Sequence, residues 1–497
     1  MIDIFSGLST LFIFVLGLAA LAIVVLFFID RYQTADTVRR NYPVIGRMRY
    51  ILSDLGEFFR QYFFAMDREE MPFNRAQRDW VYDAAKHEST NVAFGSTRNL
   101  EPVGTPIFVN CPWPTLEEDA VEAAPMRIGD GAARIPYDAP SLFNISGMSY
   151  GAISVPAVRA LSNGAAMAKC WMNTGEGGLA PYHLEGGCDI VFQIGTAKYG
   201  VRDEDGKLSD DKLREVASHE QVRMFEIKLS QGAKPGKGGI LPATKVNAEI
   251  AKIRGIPEGE DSISPNRHPE IGSNAELLDM IAHIREVTGK PVGIKTVIGA
   301  YGWIEELFEE INARGQESAP DFITVDGGDG GTGAAPLPLI DNVGLTLREA
   351  LPMLVDLRDA GGLKDRIRIV ASGKLVTPSE VAWALCAGAD FVISARGFMF
   401  ALGCIQAMKC NKNTCPTGIT THDPALQRGL DPANKAVRVA NFVEQMRKEV
   451  GVIAHSCGVP EPRRLKRYHV RLVCPDGRSR PLDELWPPVR PEGQVAA

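Results

Sequence analysis

The chain has no CxxC pair, no internal repeat at a period of roughly 20–50 residues, and no block of basic charge. The first absence excludes a zinc ribbon and the second a solenoid. The third argues against a nucleic-acid coat: 54 Lys and Arg stand against 61 Asp and Glu, a net charge of −7. With 45% hydrophobic residues the chain can bury a large core, which excludes a disordered protein. Its nine cysteines are an odd number in a long chain, so a disulfide framework is not expected and metal or cluster ligation becomes the question.

One stretch lacks charge altogether. From Gly7 to Phe28 there are 22 residues without Asp, Glu, Lys or Arg, and a helix of that length spans ~33 Å, the thickness of a bilayer's hydrocarbon. A cleaved signal peptide would carry a basic flank, a shorter apolar run and a small-residue cleavage site. Here Asp3 precedes the segment with no Lys or Arg, and Asp30-Arg31 follows Phe27-Phe28-Ile29. A retained anchor is therefore expected. Arg31, Arg39, Arg40, Arg47 and Arg49 outnumber Asp30 and Asp36 on its C-terminal side, which predicts a single pass through the cell inner membrane with the body in the cytoplasm.

The expected organisation is an anchor at 1–30, a spacer or N-terminal subdomain at 31–139, a catalytic body at 140–458 and a tail at 459–497. In the spacer, Ile51, Leu55, Phe58, Phe59 and Tyr62 recur at helical spacing within a stretch running to Met66 that is expected to pack on the catalytic body. Prolines around Thr105–Phe108 and Cys111–Pro114 predict irregular chain. From residue 140, short apolar runs alternate with amphipathic stretches. Eight strands are predicted, at 142–145, 169–172, 190–193, 224–229, 291–296, 322–325, 368–371 and 390–394, with the clearest helices at 275–288 and 378–387. That rhythm predicts a (β/α)8 TIM barrel.

Polar residues and glycines cluster after these strands, where such a barrel builds its active site. They include Ser146, Met148 and Ser149, then Asn173, Thr174 and Glu176, then Gln193, the Gln231–Gly239 loop with Lys234, and Lys295. Gly327-Gly328-Asp329-Gly330-Gly331-Thr332-Gly333 contains a formal G-x-G-x-x-G, but Pro336 and Pro338 leave no long helix to face a pyrophosphate. Its glycines are expected to lie against a flat ring or a phosphate. Ser372-Gly373-Lys374 and Ala395-Arg396 follow the last two strands, where barrels hold phosphate. A cofactor of the FMN type would place its phosphate there, with Lys295 offsetting charge at the N1/C2 edge of the ring. Finally, Cys404-x5-Cys410-x4-Cys415-Pro416 brings three thiols into one irregular loop. An iron–sulfur cluster with three protein ligands fits them best; zinc, with His422 as fourth ligand, is the alternative.

Together these segments resemble the FMN-binding synthase domain of glutamate synthases. The matching stretches are MSYGAIS (148–154), NTGEGG (173–178), QGAKPGKGG with its LP (231–242), ISP (263–265) with His268, Lys295, GGDGGTGA (327–334) and GCIQAMKCNKNTCPTGI (403–419). The resemblance implies FMN and a [3Fe–4S] cluster on Cys404, Cys410 and Cys415. It also implies Lys234 and Arg254 as binders of a 2-oxo acid's carboxylates, with Glu176 and Lys234 as catalytic groups. The implied reaction is reductive amination of a 2-oxo acid such as 2-oxoglutarate through its imine, or the reverse.

Three departures qualify the resemblance. The chain begins Met1-Ile2-Asp3 rather than with a glutaminase domain, so ammonia is expected from a separate amidotransferase subunit. Ile240 stands where the family has a substrate-contacting Gln, and SGKL (372–375) replaces DGGL. No second nucleotide-binding domain is visible, so electrons are expected from a donor protein, a ferredoxin or a reductase subunit. The alternatives are a flavin oxidoreductase acting on another amine or a hydroxy acid, and a membrane-tethered electron-transfer module.

Overall fold

A computed structural model describes residues 2–300 and 302–487. The last ten residues of the expected tail lie outside the described residues. The chain divides into two compact units, Met1–Gln77 and Arg78–Ala497.

The first unit opens with helix α1, Ile2–Tyr32. Its segment Phe5–Tyr32 is the one described helix long and apolar enough to cross a membrane, a property that a signal sequence near an N-terminus shares. Helix α2, Met48–Phe59, continues as one π-helical turn over Arg60–Phe64. Within its own unit none of its residues is buried.

The second unit is built on a closed barrel of eight parallel strands, each paired with its neighbours in sequence order. They are β1 Phe143–Ile145, β2 Met172–Asn173, β3 Ile190–Ile194, β4 Val222–Lys228, β5 Val292–Thr296, β6 Phe322–Asp326, β7 Arg368–Ser372 and β8 Phe391–Ser394. The (β/α)8 expectation is met and all eight strands form. The second is displaced: Lys169, expected in the strand, instead ends helix α3, Val155–Ala168, in the left-handed region at φ 53°. Helix α4 covers Asn274–Thr288 and α5 Pro378–Ala387, and both begin at N-caps that Ser273 and Thr377 provide.

Strand alternation sorts the barrel interior into layers. The floor is apolar: Trp171, Met224, Phe322 and Phe391 pack with Tyr137 from an antiparallel hairpin, Met126–Ile128 against Tyr137–Ala139, and so close the N-terminal end. Trp171 and Phe391 ring centroids are 5.0 Å apart. The next layer is polar and centres on Glu226. Its carboxylate accepts hydrogen bonds from Asn173 Nδ2 at 2.8 Å, Gln193 Nε2 at 2.6 Å and Thr324 Oγ1 at 2.7 Å.

Residues 106–108, expected to be irregular, form a short strand antiparallel to Val470–Val473. Pro106 sits at its first position on a sheet edge, where the missing N–H disrupts no ladder.

Candidate active site

The barrel's C-terminal end opens into a cavity of about 1040 Å³, mouth included. Its lining brings together Met148, Ser149, Glu176, Gln193, Lys234, Arg254, Ala395, Arg396 and Cys410 from the residues expected at the site. It leaves out Ser146, Asn173, Thr174, Lys295, Gly327, Gly328, Ser372, Gly373, Lys374, Cys404 and Cys415. Asn173 lies one layer down on Glu226. Thr174 Oγ1 accepts from Gln193 N at 3.1 Å, fixing the start of that loop. Ser146 N donates to Ser394 O at 3.0 Å, joining the ends of β1 and β8.

Glu176 is placed by glycines. It sits in the single 3₁₀ turn Gly175–Gly177 after β2, with Gly175 at φ +64°. A Cβ on Gly195 would lie 2.6 Å from Glu176 Cβ, so the carboxylate reaches the cavity only because residue 195 has no side chain. Lys228 Nζ, from the end of β4, stands 3.1 Å from Glu176 Oε2. Burial alone would raise the Glu176 pKa, but Lys228, Lys234 and Arg254 reverse this and hold it below the usual carboxylate value.

Lys234 is presented by the loop after β4. Gly232 N donates to Asp326 Oδ2 at 3.0 Å and Ala233 N to Gly328 O at 3.0 Å, so the Lys234 loop docks on the glycine-rich turn after β6. Burial, with the nearby Lys228 charge, pushes the Lys234 pKa down to about 8. The same Asp326 carboxylate holds Lys295, Nζ to Oδ2 3.4 Å, which lies just beneath the cavity and is 6% exposed. Burial disfavours its charge, yet Asp326 and Glu226 raise its pKa above the ordinary lysine value.

Arg254 ends the helix Ala248–Arg254, where Gly255 caps in the left-handed region. Its Nη1 donates to Ser262 Oγ at 3.1 Å and its Nη2 to Tyr150 O at 3.2 Å, and the guanidinium lies 5.1 Å from the Tyr199 ring centroid. Its Nε is buried and has no partner among the described residues. His268 Nε2 donates to Lys228 O at 3.1 Å, and burial pushes its pKa down to about 4, so it is neutral at pH 7.

The turn at Ser372–Lys374 packs on the glycine-rich turn: Ser372 O accepts from Gly327 N at 2.9 Å, and Gly373 adopts φ +133°. Arg396 reaches across to donate to Thr332 O, drawing Gly331–Ala334 over the cavity. Its Nη1 also lies 4.0 Å from Cys410 Sγ.

The three loop thiols are near enough that Cys410 and Cys415 contribute to raising the Cys404 pKa, which burial chiefly pushes to about 11. Among the described residues no trio of His, Cys, Asp or Glu stands in metal-holding geometry, these thiols included. His422 points elsewhere, its Nε2 2.8 Å from Gly151 O. Lys245, itself at the cavity lining, braces the loop, with Nζ donating to Cys410 O at 2.8 Å and Thr420 O at 2.6 Å.

Two residues that sequence reasoning passed over matter here. Glu226 organises the polar layer and Lys228 pairs with Glu176. Both lie on β4 at the parity of Met224, so the two-residue period of a strand already points them inward.

Residues 116–460 match the family model described as the conserved region in glutamate synthase. The chain belongs to the glutamate synthase family. It is 39% identical to the glutamate synthase large subunit-like protein YerD of Bacillus subtilis, over 95% of this chain and 97% of that one. It is 34% identical to the archaeal glutamate synthase [NADPH] of Methanocaldococcus jannaschii, over 69% of this chain and 63% of that one. The chain thus spans just under two thirds of the latter's length. A solved structure of mandelate oxidase with (S)-4-hydroxymandelic acid resembles it more distantly, with 15% identity, a TM-score of 0.46, and coverage of 80% of this chain and 97% of that one. Within the glutamate synthase family the chain is an oxidoreductase.

Proposed function

We propose that this glutamate synthase-like chain interconverts a 2-oxo acid of the 2-oxoglutarate class and its amino acid through the imine, acting on the CH–NH2 group. One observation carries the reading: Lys228, Lys234, Lys245, Arg254 and Arg396 line the cavity against a single carboxylate, Glu176. A dicarboxylate and a phosphorylated cofactor are the ligands such a field concentrates.

FMN fits this end of the barrel. Gly147, Gly175, Gly331 and Gly333 line the cavity with backbone, which a flat ring can approach closely, and Arg396 supplies a cation at the end of β8. The donor set of the 403–419 loop, three thiols and no carboxylate, fits an iron–sulfur cluster better than a hard metal. When bound, FMN would supply hydride chemistry and a [3Fe–4S] cluster on Cys404, Cys410 and Cys415 one-electron transfer.

The chain's own residues do the rest. The Arg254 guanidinium binds one substrate carboxylate and Lys234 Nζ supplies a second cation at the same cavity. With its pKa near neutrality, Lys234 Nζ also holds the proton that the imine nitrogen takes up on becoming an amine. Glu176, kept ionised by Lys228, stabilises the iminium and orients that nitrogen.

A second reading keeps the flavin and changes the substrate. Ile240 lines the cavity and is 43% exposed, presenting an apolar wall that would favour an aliphatic amino acid, another amine or a hydroxy acid. In the first reading a ferredoxin or reductase subunit supplies electrons and a separate amidotransferase subunit supplies ammonia; in both readings α1 holds the body to the cytoplasmic face of the inner membrane.

The test is amine formation by the FMN-loaded full chain from 2-oxoglutarate and ammonium, driven by a chemically reduced viologen. Glutamate production that Arg254→Ala and Lys234→Ala abolish supports the proposal. Stoichiometric reduction of the bound FMN by the viologen without any amine product, unaffected by those variants, would reduce the chain to an electron-transfer module.

A further inference from the structure

Helix α2 has an apolar side that no described residue of its own unit buries. Met48, Ile51, Leu52, Leu55, Phe59 and Tyr62 fall within an arc of about 120° at helical periodicity, and each is at least 45% exposed. The opposite side carries Arg49, Ser53, Asp54, Glu57, Arg60 and Gln61. In water such a face is costly, and its aromatic content is what a lipid interface accepts.

The first unit itself says where this face lies. Asp30, in the last turns of α1, is fully buried and gathers the residues after α1 around itself. Its Oδ1 accepts from Arg39 Nη2 at 2.7 Å and Arg47 Nη2 at 2.7 Å, and its Oδ2 from Val44 N at 3.0 Å and Arg47 Nε at 2.8 Å. Tyr50 OH donates to Asp36 as α2 begins. Residues 33–47 therefore do not lead away from α1; they fold back onto its end. The start of α2 is held level with the point where the apolar helix stops, and if α1 spans a bilayer, that level is the headgroup boundary.

We propose that α2 and its π-helical end lie in the membrane surface with their apolar side seated in lipid, a second contact with the bilayer besides the span. The inference rests on the proposed anchor. It goes further in assigning the lipid interface as partner of a helix that the span does not require.

Reconstituting the full chain in phosphatidylcholine vesicles that contain a phospholipid with a photoactivatable acyl chain, and mapping adducts by peptide mass spectrometry, reads both contacts separately. Adducts on 48–64 as well as on 5–32 are expected. The double variant Leu55→Lys, Phe59→Lys should lose the former at least about fivefold and keep the latter. Adducts on 5–32 alone would overturn the proposal and leave the anchor standing, with a protein partner or a second copy then covering α2. Adducts on 48–64 alone would support the surface helix and remove the span. Adducts on neither would remove both.

Discussion

Lys228 Nζ lies 3.1 Å from Glu176 Oε2, and the two side chains are only 10% and 16% exposed. Lys228 is the nearest of the cations that keep the Glu176 carboxylate ionised. Glu176→Gln would leave the Lys228 ammonium buried without its carboxylate, and a loss of about 3 kcal/mol in unfolding free energy is expected by denaturant titration. An unchanged midpoint would mean that water, not Glu176, satisfies Lys228.

The glycine at 195 is a second way to reach the same carboxylate without touching charge. Gly195→Ala places a methyl group 2.6 Å from Glu176 Cβ, so the turn carrying Glu176 must shift. We expect turnover to fall at least about tenfold with binding of the cofactor retained. Wild-type turnover would show that Glu176 position is not critical.

Lys234 sets a pH limit. Its pKa of about 8, against an ordinary 10.5, means the ammonium is lost as pH rises through about 8. If that ammonium binds carboxylate and donates the proton, kcat/KM falls above this pH. Lys234→Arg, whose charge does not titrate there, should move that falling limb upward while lowering the maximum rate. A limb that stays in place would assign it to another group.

Acid should weaken the fold through two histidines. Burial pushes His183 and His268 down to about 4, from 6.5. Their folded pKa values lie below their unfolded ones, so the unfolded chain binds more protons between those limits. Stability present above about pH 6.5 is therefore lost as pH falls toward 4. His183 is fully buried with Nδ1 accepting from Ala180 N at 2.9 Å. His183→Asn should flatten the pH dependence of the denaturation midpoint in that window, and an unchanged slope would contradict its neutral burial.

The barrel was legible because its strands are short apolar runs separated by amphipathic helices, and a parallel sheet buried on both faces demands that pattern. The strand at 172–173 was harder, since Lys169 looks like strand but serves as a helix cap. The site was legible in its loops, where Glu176, Lys234, Arg254 and Arg396 do converge on one cavity. Glu226 and Lys228 were missed because a charged residue inside an apolar run reads as an interruption. Only the closed barrel shows that their side chains share an interior with Asn173 and Gln193. The hydrogen bond from Gly327 N to Ser372 O, which joins the turns after β6 and β7, is a tertiary contact that strand order does not encode.

The most direct test of the central claim is an anaerobic titration of the FMN-loaded full chain with amino acids, followed in the flavin absorbance. The account predicts bleaching by a dicarboxylic amino acid such as glutamate, abolished in Arg254→Ala. It is contradicted if no amino acid bleaches the flavin while a hydroxy acid does.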